Sequence, residues 1–283
     1  MRRASSFLPT GEITSGYLDG QKVFLPSYSQ DLARICPRAV ARYDKARDFL
    51  AWMVDKIDYD KEGRVLLKRL HLREAEDPGT YRCLDPIWQE PTAKGVGTLY
   101  IGDVSSAQTL YLLKELGITR IVNCTRNIPN YFEDDSNSDT PCFRYLRFDI
   151  VEHRRRVVNH ESAFEFVKPL LVFLARALRE GRQVLIHCLA GAHRAGTTGV
   201  ICHMYYGGLR RIDAIKLLRQ RRPVVDIIGD FPILLSHVDD SLRKLRHVSL
   251  ATTPWGLANC FFMKQGGLTE EDDIMLETYS LDY

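Results

Sequence analysis

The residues of this chain best suited to chemistry are a cysteine and an arginine six positions apart, Cys188 and Arg194. They bracket a glycine, Gly191, and follow an apolar, strand-like run that ends at Ile186. Only the thiolate of a cysteine is a good nucleophile, so the surroundings must lower the thiol pKa. A tight loop that enters a helix does this with its backbone N–H groups and the helix dipole, and the same donors bind phosphate oxygens. The pattern predicts a site that binds and attacks phosphate.

Residues 188–194, called the phosphate loop below, are predicted to surround a bound phosphate. Arg194 carries a planar guanidinium that matches two phosphate oxygens at once. Gly191 is expected to let the backbone approach the phosphate without a Cβ in the way. His193 either adds positive charge at the rim or is an exposed side chain without a role. The predicted phosphate-binding residues are Leu189, Ala190, Gly191, Ala192, His193 and Arg194.

The histidine before the cysteine, His187, is predicted to support the loop. It either orients the loop by hydrogen bonds to the backbone near the sulfur or is a core histidine whose nitrogens are satisfied by local carbonyl groups. The two roles are compatible.

Composition and charge narrow the class of protein. The chain has 283 residues, of which 45% are apolar, so it can bury a large core. Its net charge of +3 indicates no general affinity for nucleic acid. The seven cysteines are widely spaced, without a Cys-x-x-Cys pair or a zinc-type cluster. They are typical of free thiols in a reducing compartment. No apolar stretch approaches the roughly 18 residues of a membrane span, so we expect a soluble protein of the cytoplasm or nucleus that uses no metal or other cofactor.

Strand-like runs alternate with helical periodicity from Thr98 to Leu245. This alternation predicts an α/β fold with a mainly parallel central sheet flanked by helices. One predicted strand, Tyr145–Ile150, precedes the helix that leads to the last strand before Cys188. In such sheets the functional site lies at the C-terminal ends of the strands, where the phosphate loop also begins.

The turn-rich stretch at 90–97 marks a boundary between segments. A helix predicted at 37–57 packs on the catalytic domain or docks a partner protein. Three segments are predicted: an N-terminal extension at 1–93 that is partly helical, a catalytic domain at 94–248, and a C-terminal extension at 249–283 with an acidic run at 270–273.

The phosphate loop and several motifs around it resemble the dual-specificity phosphatase family. Residues 187–194 match the signature His-Cys-x-x-Gly-x-x-Arg. The resemblance implies the cysteine-phosphatase fold, a phosphorylated protein as substrate, and hydrolysis of its phospho-Tyr, phospho-Ser and phospho-Thr through a phosphocysteine at Cys188 without metal. Further landmarks occur in the family's order within 94–248: Leu99–Gly102, Gly117–Thr119, Val122–Thr125, Ile128–Asn130 and Arg221–Pro223.

The resemblance places a general acid, which protonates the leaving group, on the loop after the strand that starts at Tyr145. Counting along the family pattern Tyr-x-x-Ile-x-x-x-Asp puts Glu152 at the acid position. The usual residue type, Asp149, comes three residues earlier and can serve if the strand ends early. Both alternatives stay open, and the carboxylate that is not the acid is expected to pair with nearby basic residues.

Two residues near the loop distinguish this chain within the family: Ala195 departs from the common pattern, and Cys124 matches a cysteine of one branch. Ala195 replaces the Ser or Thr that often follows the arginine, as in the phosphatases of regenerating liver. Its missing hydroxyl implies slower breakdown of the phosphocysteine, unless Thr197 or Thr198 substitutes instead of only capping the helix. The same branch has a cysteine that matches Cys124 and can form a disulfide with the nucleophile, although a buried inert cysteine is the alternative.

Two other functions compete with a protein phosphatase. The basic run His153–Arg156 favours a polyanionic substrate such as a phosphoinositide, or is a solvated charged loop. The uncertain acid and Ala195 suggest a pseudophosphatase that binds phosphate with little turnover. The intact Cys188 and Arg194 favour an enzyme.

Overall fold

The structure is a computed structural model that describes residues 57–133 and 142–252, together with two N-terminal strands. Strands β1 (Ile13–Leu18) and β2 (Gln21–Pro26) pair antiparallel. Except for Ile57, the predicted helix at 37–57 lies outside the described residues, as does the acidic run at 270–273.

The chain divides into two compact units. The first comprises Met1–Ile57 and Ile228–Pro232, and the second comprises Asp58–Ile227 and Ile233–Tyr283. The β1–β2 hairpin belongs to the first unit, whereas the phosphate loop and the central sheet belong to the second.

The central sheet has five strands. They are β3 (Leu84–Thr92), β4 (Gly95–Gly102), β5 (Ile118–Asn123), β6 (Arg144–Arg147) and β7 (Gln183–His187). Their order across the sheet is β3-β4-β7-β5-β6. The β3–β4 pair is antiparallel, and the pairs β4–β7, β5–β7 and β5–β6 are parallel. The predicted α/β fold with a mainly parallel sheet is confirmed.

Helices flank this sheet, and a 3-10 turn at Ile150–Glu152 lies between β6 and the fourth of them. The helices are α1 (Tyr59–Glu76), α2 (Val104–Gln108), α3 (Leu110–Glu115), α4 (His153–Arg156), α5 (His160–Arg179), α6 (Arg194–Tyr206), α7 (Arg211–Arg221) and α8 (Phe231–Thr252). Helix α1 supplies a helical segment within the N-terminal extension.

Strand β7 lies at the centre of the sheet and delivers the phosphate loop. Val184, Leu185 and Ile186 are completely buried, as expected for a parallel strand covered on both faces. Because β4 and β5 run parallel to β7 on either side, the C-terminal ends of all three strands meet at one edge. The phosphate loop therefore starts at the edge where functional sites of such sheets lie.

Two boundaries differ from the sequence-based expectations. The predicted boundary between 93 and 94 falls in the turn between β3 and β4, so a strand of the N-terminal extension completes the sheet. The predicted strand Tyr145–Ile150 ends at Arg147, and Asp149 caps the 3-10 turn that follows. An Asp favours this capping position because its side chain accepts a backbone N–H.

Candidate active site

Cys188 and Arg194 meet at the start of α6. The cysteine is 2% exposed and the arginine 4% exposed, and both side chains sit in a loop of small residues. Helix α6 begins at Arg194 and runs for 13 residues, so its N-terminal dipole and free N–H groups face the loop. This placement suits a thiolate nucleophile and an anionic substrate.

Three carbonyl groups at alternate positions, the first just before the loop, accept hydrogen bonds from outside it. Because each peptide unit is planar and trans, the N–H of the next residue points in the opposite direction. The N–H groups of Cys188, Ala190 and Ala192 are thereby aimed away from the outside donors, as an anion-binding loop requires. The three bonds run to His187 O from Cys124 N at 2.9 Å, to Leu189 O from Val104 N at 3.0 Å, and to Gly191 O from Arg222 Nε at 2.8 Å.

Arg222 is a buried charge that ties the loop to β3. Its side chain is completely buried, and its Nη1 donates to Asp85 Oδ2 at 2.6 Å and to the Arg82 carbonyl at 3.1 Å. From the sequence it was only one of the family landmarks, since nothing in its type or spacing indicates a contact with Gly191. Only the tertiary structure shows that Arg222 orients the loop, through its bond to the Gly191 carbonyl.

The expected role of Gly191 needs correction. Its φ of 63° lies in the left-handed region that favours glycine. An added Cβ would lie 2.6 Å from the Gly102 carbonyl oxygen and 2.6 Å from Arg222 Nη2. The glycine is therefore required where the loop packs on β4 and Arg222, rather than by the approach of a phosphate.

Arg194 forms an ion pair with a residue of the N-terminal extension. Its Nη2 lies 2.7 Å from Oδ1 of Asp60, in the first turn of α1. Helix α1 also packs directly on the phosphate loop, because Leu66 and Leu70 share a buried cluster with Ala190 and Ala192. No sequence pattern indicated this contact, since Asp60 lies in the segment that carries no family landmark.

Asp149 has the environment of a general acid. It follows the early end of β6 and is half-buried, and its Oδ1 accepts the Val151 N–H at 3.3 Å. Burial raises the pKa of Asp149, and the neighbouring Arg194 guanidinium is close enough to oppose part of that rise. A raised pKa keeps the carboxyl protonated to higher pH.

Glu152 lies between two guanidinium groups instead. Its Oε1 is 3.8 Å from Arg126 Nη1 and 3.7 Å from Arg155 Nη1, and its side chain is 32% exposed. This is the basic pairing that was expected for whichever of the two carboxylates is not the acid.

The two histidines beside the loop are neutral and buried. Neither ring nitrogen of His187 has a hydrogen-bond partner among the described residues. Burial lowers its pKa to about 4, although the nearby Cys188 backbone opposes this effect. His193 is 6% exposed, its Nδ1 lies 2.8 Å from the Asp226 carbonyl oxygen, and burial lowers its pKa. His193 is therefore neither a positive charge at the rim nor an exposed side chain. The proximity of His187 to the Cys188 backbone leaves its loop-orienting role a prediction.

The two threonine hydroxyls at the start of α6 bond to the helix backbone. Thr197 Oγ1 donates to the His193 carbonyl at 2.8 Å, and Thr198 Oγ1 donates to the Arg194 carbonyl at 3.0 Å. Both side chains are fully buried. These bonds run back to the carbonyl four residues earlier and are not N-terminal caps, and they engage both hydroxyl hydrogens.

Cys124 lies next to the nucleophile in the sheet. It follows the end of β5, and its N–H bonds to the carbonyl of His187, the residue before Cys188. Its thiol is fully buried 3.3 Å from Thr198 Oγ1, and burial raises the thiol pKa. The side chain is thus a protonated thiol close to Cys188 in the reduced protein.

The arginines of the basic run have partners within the chain. Arg155 pairs with Glu152. Arg154 lies 5.1 Å from the centre of the Tyr59 ring, and Arg156 lies 5.4 Å from that of Phe166. These contacts give each arginine a partner within the chain, although Arg155 and Arg156 are still exposed, and they weaken the case for a dedicated polyanion-binding patch.

Within the described residues, no group of three or more His, Cys, Asp or Glu side chains is placed to hold a metal ion. A search of the same residues also finds no helix long and apolar enough to cross a membrane.

Residues 99–231 match the family model described as dual specificity phosphatase, catalytic domain. Human dual specificity protein phosphatase 9 is 32% identical over 145 residues, which cover 51% of this chain and 35% of that protein. The Drosophila melanogaster phosphatase Mpk3 is 29% identical over 52% of this chain and 33% of its own length. Mouse dual specificity protein phosphatase 14 is 24% identical over 61% of this chain and 81% of its own. The chain therefore spans about a third of the first two relatives.

Two solved structures are also similar. Human DUSP28 aligns with a TM-score of 0.43 and 20% identity over 58% of this chain and 97% of its own. A leucine rich repeat and phosphatase domain containing protein from Entamoeba histolytica aligns with a TM-score of 0.41 and 18% identity, over 57% of this chain and 94% of its own.

Proposed function

This chain belongs to the dual specificity phosphatase family through residues 99–231, and on that premise we propose that it hydrolyses phosphate monoesters of protein tyrosine, serine and threonine. One observation supports the proposal most strongly: Cys188 is buried inside the phosphate loop, and Arg194 lies at the start of α6. Hydrogen bonds from residues outside the loop keep its carbonyl groups pointing outward. That arrangement presents a nucleophile, inward N–H donors and a guanidinium to one phosphate group.

The reaction proceeds in two steps. The Cys188 thiolate attacks phosphorus, so an S–P bond forms while the P–O bond to the substrate breaks, and the leaving oxygen takes a proton from the general acid. Water then attacks the phosphocysteine and gives a proton to the carboxylate left behind, which releases phosphate and regenerates the thiolate. The loop N–H groups and Arg194 stabilise the negative charge of the transferred phosphoryl group in both steps.

Asp149 is the general acid in this proposal. Its half-buried carboxyl has a raised pKa, and the strand before it ends early enough to put it on the loop. Glu152, by contrast, forms ion pairs with Arg126 and Arg155. Ala195 gives no hydroxyl to the thiolate, and the Thr197 hydroxyl donates to a helix carbonyl, so we expect the phosphocysteine to break down more slowly than it would with a Ser or Thr at position 195.

A protein substrate is favoured over a phosphoinositide. The neutral His193 and the internally partnered arginines weaken the two features that suggested a polyanion. The five cysteines in the described residues are free thiols, which supports a reducing compartment, the cytoplasm or the nucleus. A docking partner for the N-terminal extension remains a prediction.

Turnover of an aryl phosphate by the full chain tests the proposal. Cys188→Ser should abolish it, since a hydroxyl at this position is a far weaker nucleophile. The matched control Cys83→Ser changes a free, half-buried thiol outside the loop and should keep normal turnover. A panel of phosphopeptides and phosphoinositides then identifies the substrate class, and the Cys188→Ser protein can capture phosphoproteins from lysate. Appreciable activity in Cys188→Ser, or turnover of phosphoinositides alone, would refute the proposal.

A further inference from the structure

We propose that Asp60 is a positioning residue for the phosphatase reaction: it holds the Arg194 guanidinium in the orientation that receives the substrate phosphate. This inference rests on the proposed function. It also makes α1, which lies outside the family match at 99–231, a working part of the active site.

The contact is a short ion pair at a mostly enclosed position. Asp60 Oδ1 lies 2.7 Å from Arg194 Nη2, with the arginine side chain 5% exposed and the aspartate side chain 30% exposed. Asp60 is the one carboxylate in ion-pair contact with Arg194 among the described residues. The other oxygen, Oδ2, lies 3.4 Å from Asn127 Nδ2, which donates to it. The carboxylate is therefore held from both sides.

This geometry leaves room for phosphate on the same guanidinium. A guanidinium presents several N–H donors in one plane, and Asp60 uses a single nitrogen of Arg194. The remaining donors suffice for a two-point contact with phosphate. Asp60 and a substrate phosphate can thus contact Arg194 at the same time. The Asp60 carboxylate then fixes the plane of the guanidinium group.

Helix α1 is anchored firmly enough to act as a support. Leu66 and Leu70 are 8% and 6% exposed and pack on Ala190 and Ala192 of the phosphate loop. A Cβ added to Gly63 would lie only 3.2 Å from the Leu189 side chain, which shows how closely the helix approaches the loop. Displacing α1 would expose this apolar contact, so Asp60 stays beside Arg194 during the reaction.

The physical benefit is pre-organisation. An arginine side chain has many rotamers, and each must be excluded before two phosphate oxygens can be bound at once. The Asp60 contact excludes most of them before substrate arrives. The cost is a negative charge near the bound dianion, which is small because the carboxylate is partly exposed to solvent.

The test compares Asp60→Ala and Asp60→Asn with Glu62→Ala in the full chain. Glu62 is an exposed carboxylate in the same helical turn, so its replacement removes the same charge without touching the ion pair. Asp60→Ala should lower kcat by about 10- to 100-fold, as expected when a reacting group is misplaced. Asp60→Asn should lose less, because its amide oxygen can still lie against Arg194 Nη2. Glu62→Ala should resemble the wild type.

Binding of tungstate, a phosphate-like oxyanion, gives a readout that does not depend on turnover. Calorimetry should show several-fold weaker binding to Asp60→Ala than to the wild type. Tighter binding, or unchanged kcat in Asp60→Ala, would instead make the carboxylate a competitor or a bystander and overturn the proposal. If Asp60→Ala does not fold, Asp60→Asn decides: a reduced kcat at unchanged thermal stability supports the proposal, and wild-type kcat refutes it. If the wild type is inactive, the phosphatase function is refuted. The comparison of tungstate binding between the wild type and Asp60→Ala would then still test whether Asp60 positions Arg194.

Discussion

Replacing Arg222 with Met would show how far the phosphate loop depends on one buried charge. Met fills a similar length of apolar space but makes none of the three bonds that Arg222 donates, to Gly191 O, Arg82 O and Asp85 Oδ2. Two separate losses should follow. The buried Asp85 carboxylate loses its partner, and the Gly191 carbonyl loses the donor that keeps it turned outward.

The two losses have different magnitudes. Leaving one partner of a buried ion pair unpaired costs about 3–5 kcal/mol, and a lost hydrogen bond costs roughly 1 kcal/mol more. We expect Arg222→Met to lower the free energy of unfolding by about 4–6 kcal/mol. The released Gly191–Ala192 peptide can rotate and withdraw the Ala192 N–H, and loss of one pre-organised donor lowers the rate by about 100-fold.

A second substitution separates stability from loop orientation. In Asp85→Asn with Arg222→Met, no unpaired charge remains buried, so the double variant should recover about half of the lost stability, consistent with strong coupling between contacting residues. Its kcat/KM should remain as low as in the single variant, because the Gly191 carbonyl is still without its donor. Urea unfolding followed by circular dichroism measures the first quantity and aryl phosphate turnover the second.

Asp85→Asn alone is the matched control, since it keeps the Arg222 bond to Gly191. Activity should fall less in this variant than in Arg222→Met. If kcat/KM instead returned in step with stability in the double variant, Arg222 would act only through folding, and the argument from peptide orientation would be wrong.

Two further outcomes are expected. Asp149→Asn should remove the decline of kcat/KM, which reports cleavage of the P–O bond, as pH rises through the raised pKa of Asp149, because the wild-type acid must be protonated to donate in that step. Glu152→Gln should keep that decline in a pH profile, and the reverse pattern would make Glu152 the acid. The phosphatase activity of Cys124→Ser should recover poorly after treatment with peroxide and then dithiothreitol, whereas the wild-type activity should recover fully. The reason is that a Cys188–Cys124 disulfide would protect the nucleophile from irreversible oxidation. Equal recovery of activity in the two proteins would show that Cys124 is only a buried apolar side chain.

The sequence alone was sufficient for the features that depend on local order. The spacing of Cys188 and Arg194 after an apolar run predicted a strand, a loop and a helix, because strand and helix periodicities are properties of neighbouring residues. The alternation of such runs predicted the mainly parallel sheet, which the structure confirms.

Only the tertiary structure decided how the loop is supported. Arg222 reaches Gly191 across 31 positions and Asp85 across 137 positions, and Asp60 reaches Arg194 from a helix outside the recognised motifs. Contacts of this kind depend on how elements pack, which no periodicity records. Burial likewise made His187 and His193 neutral and raised the pKa of Asp149, because a pKa depends on solvent exclusion and nearby charges rather than on residue type.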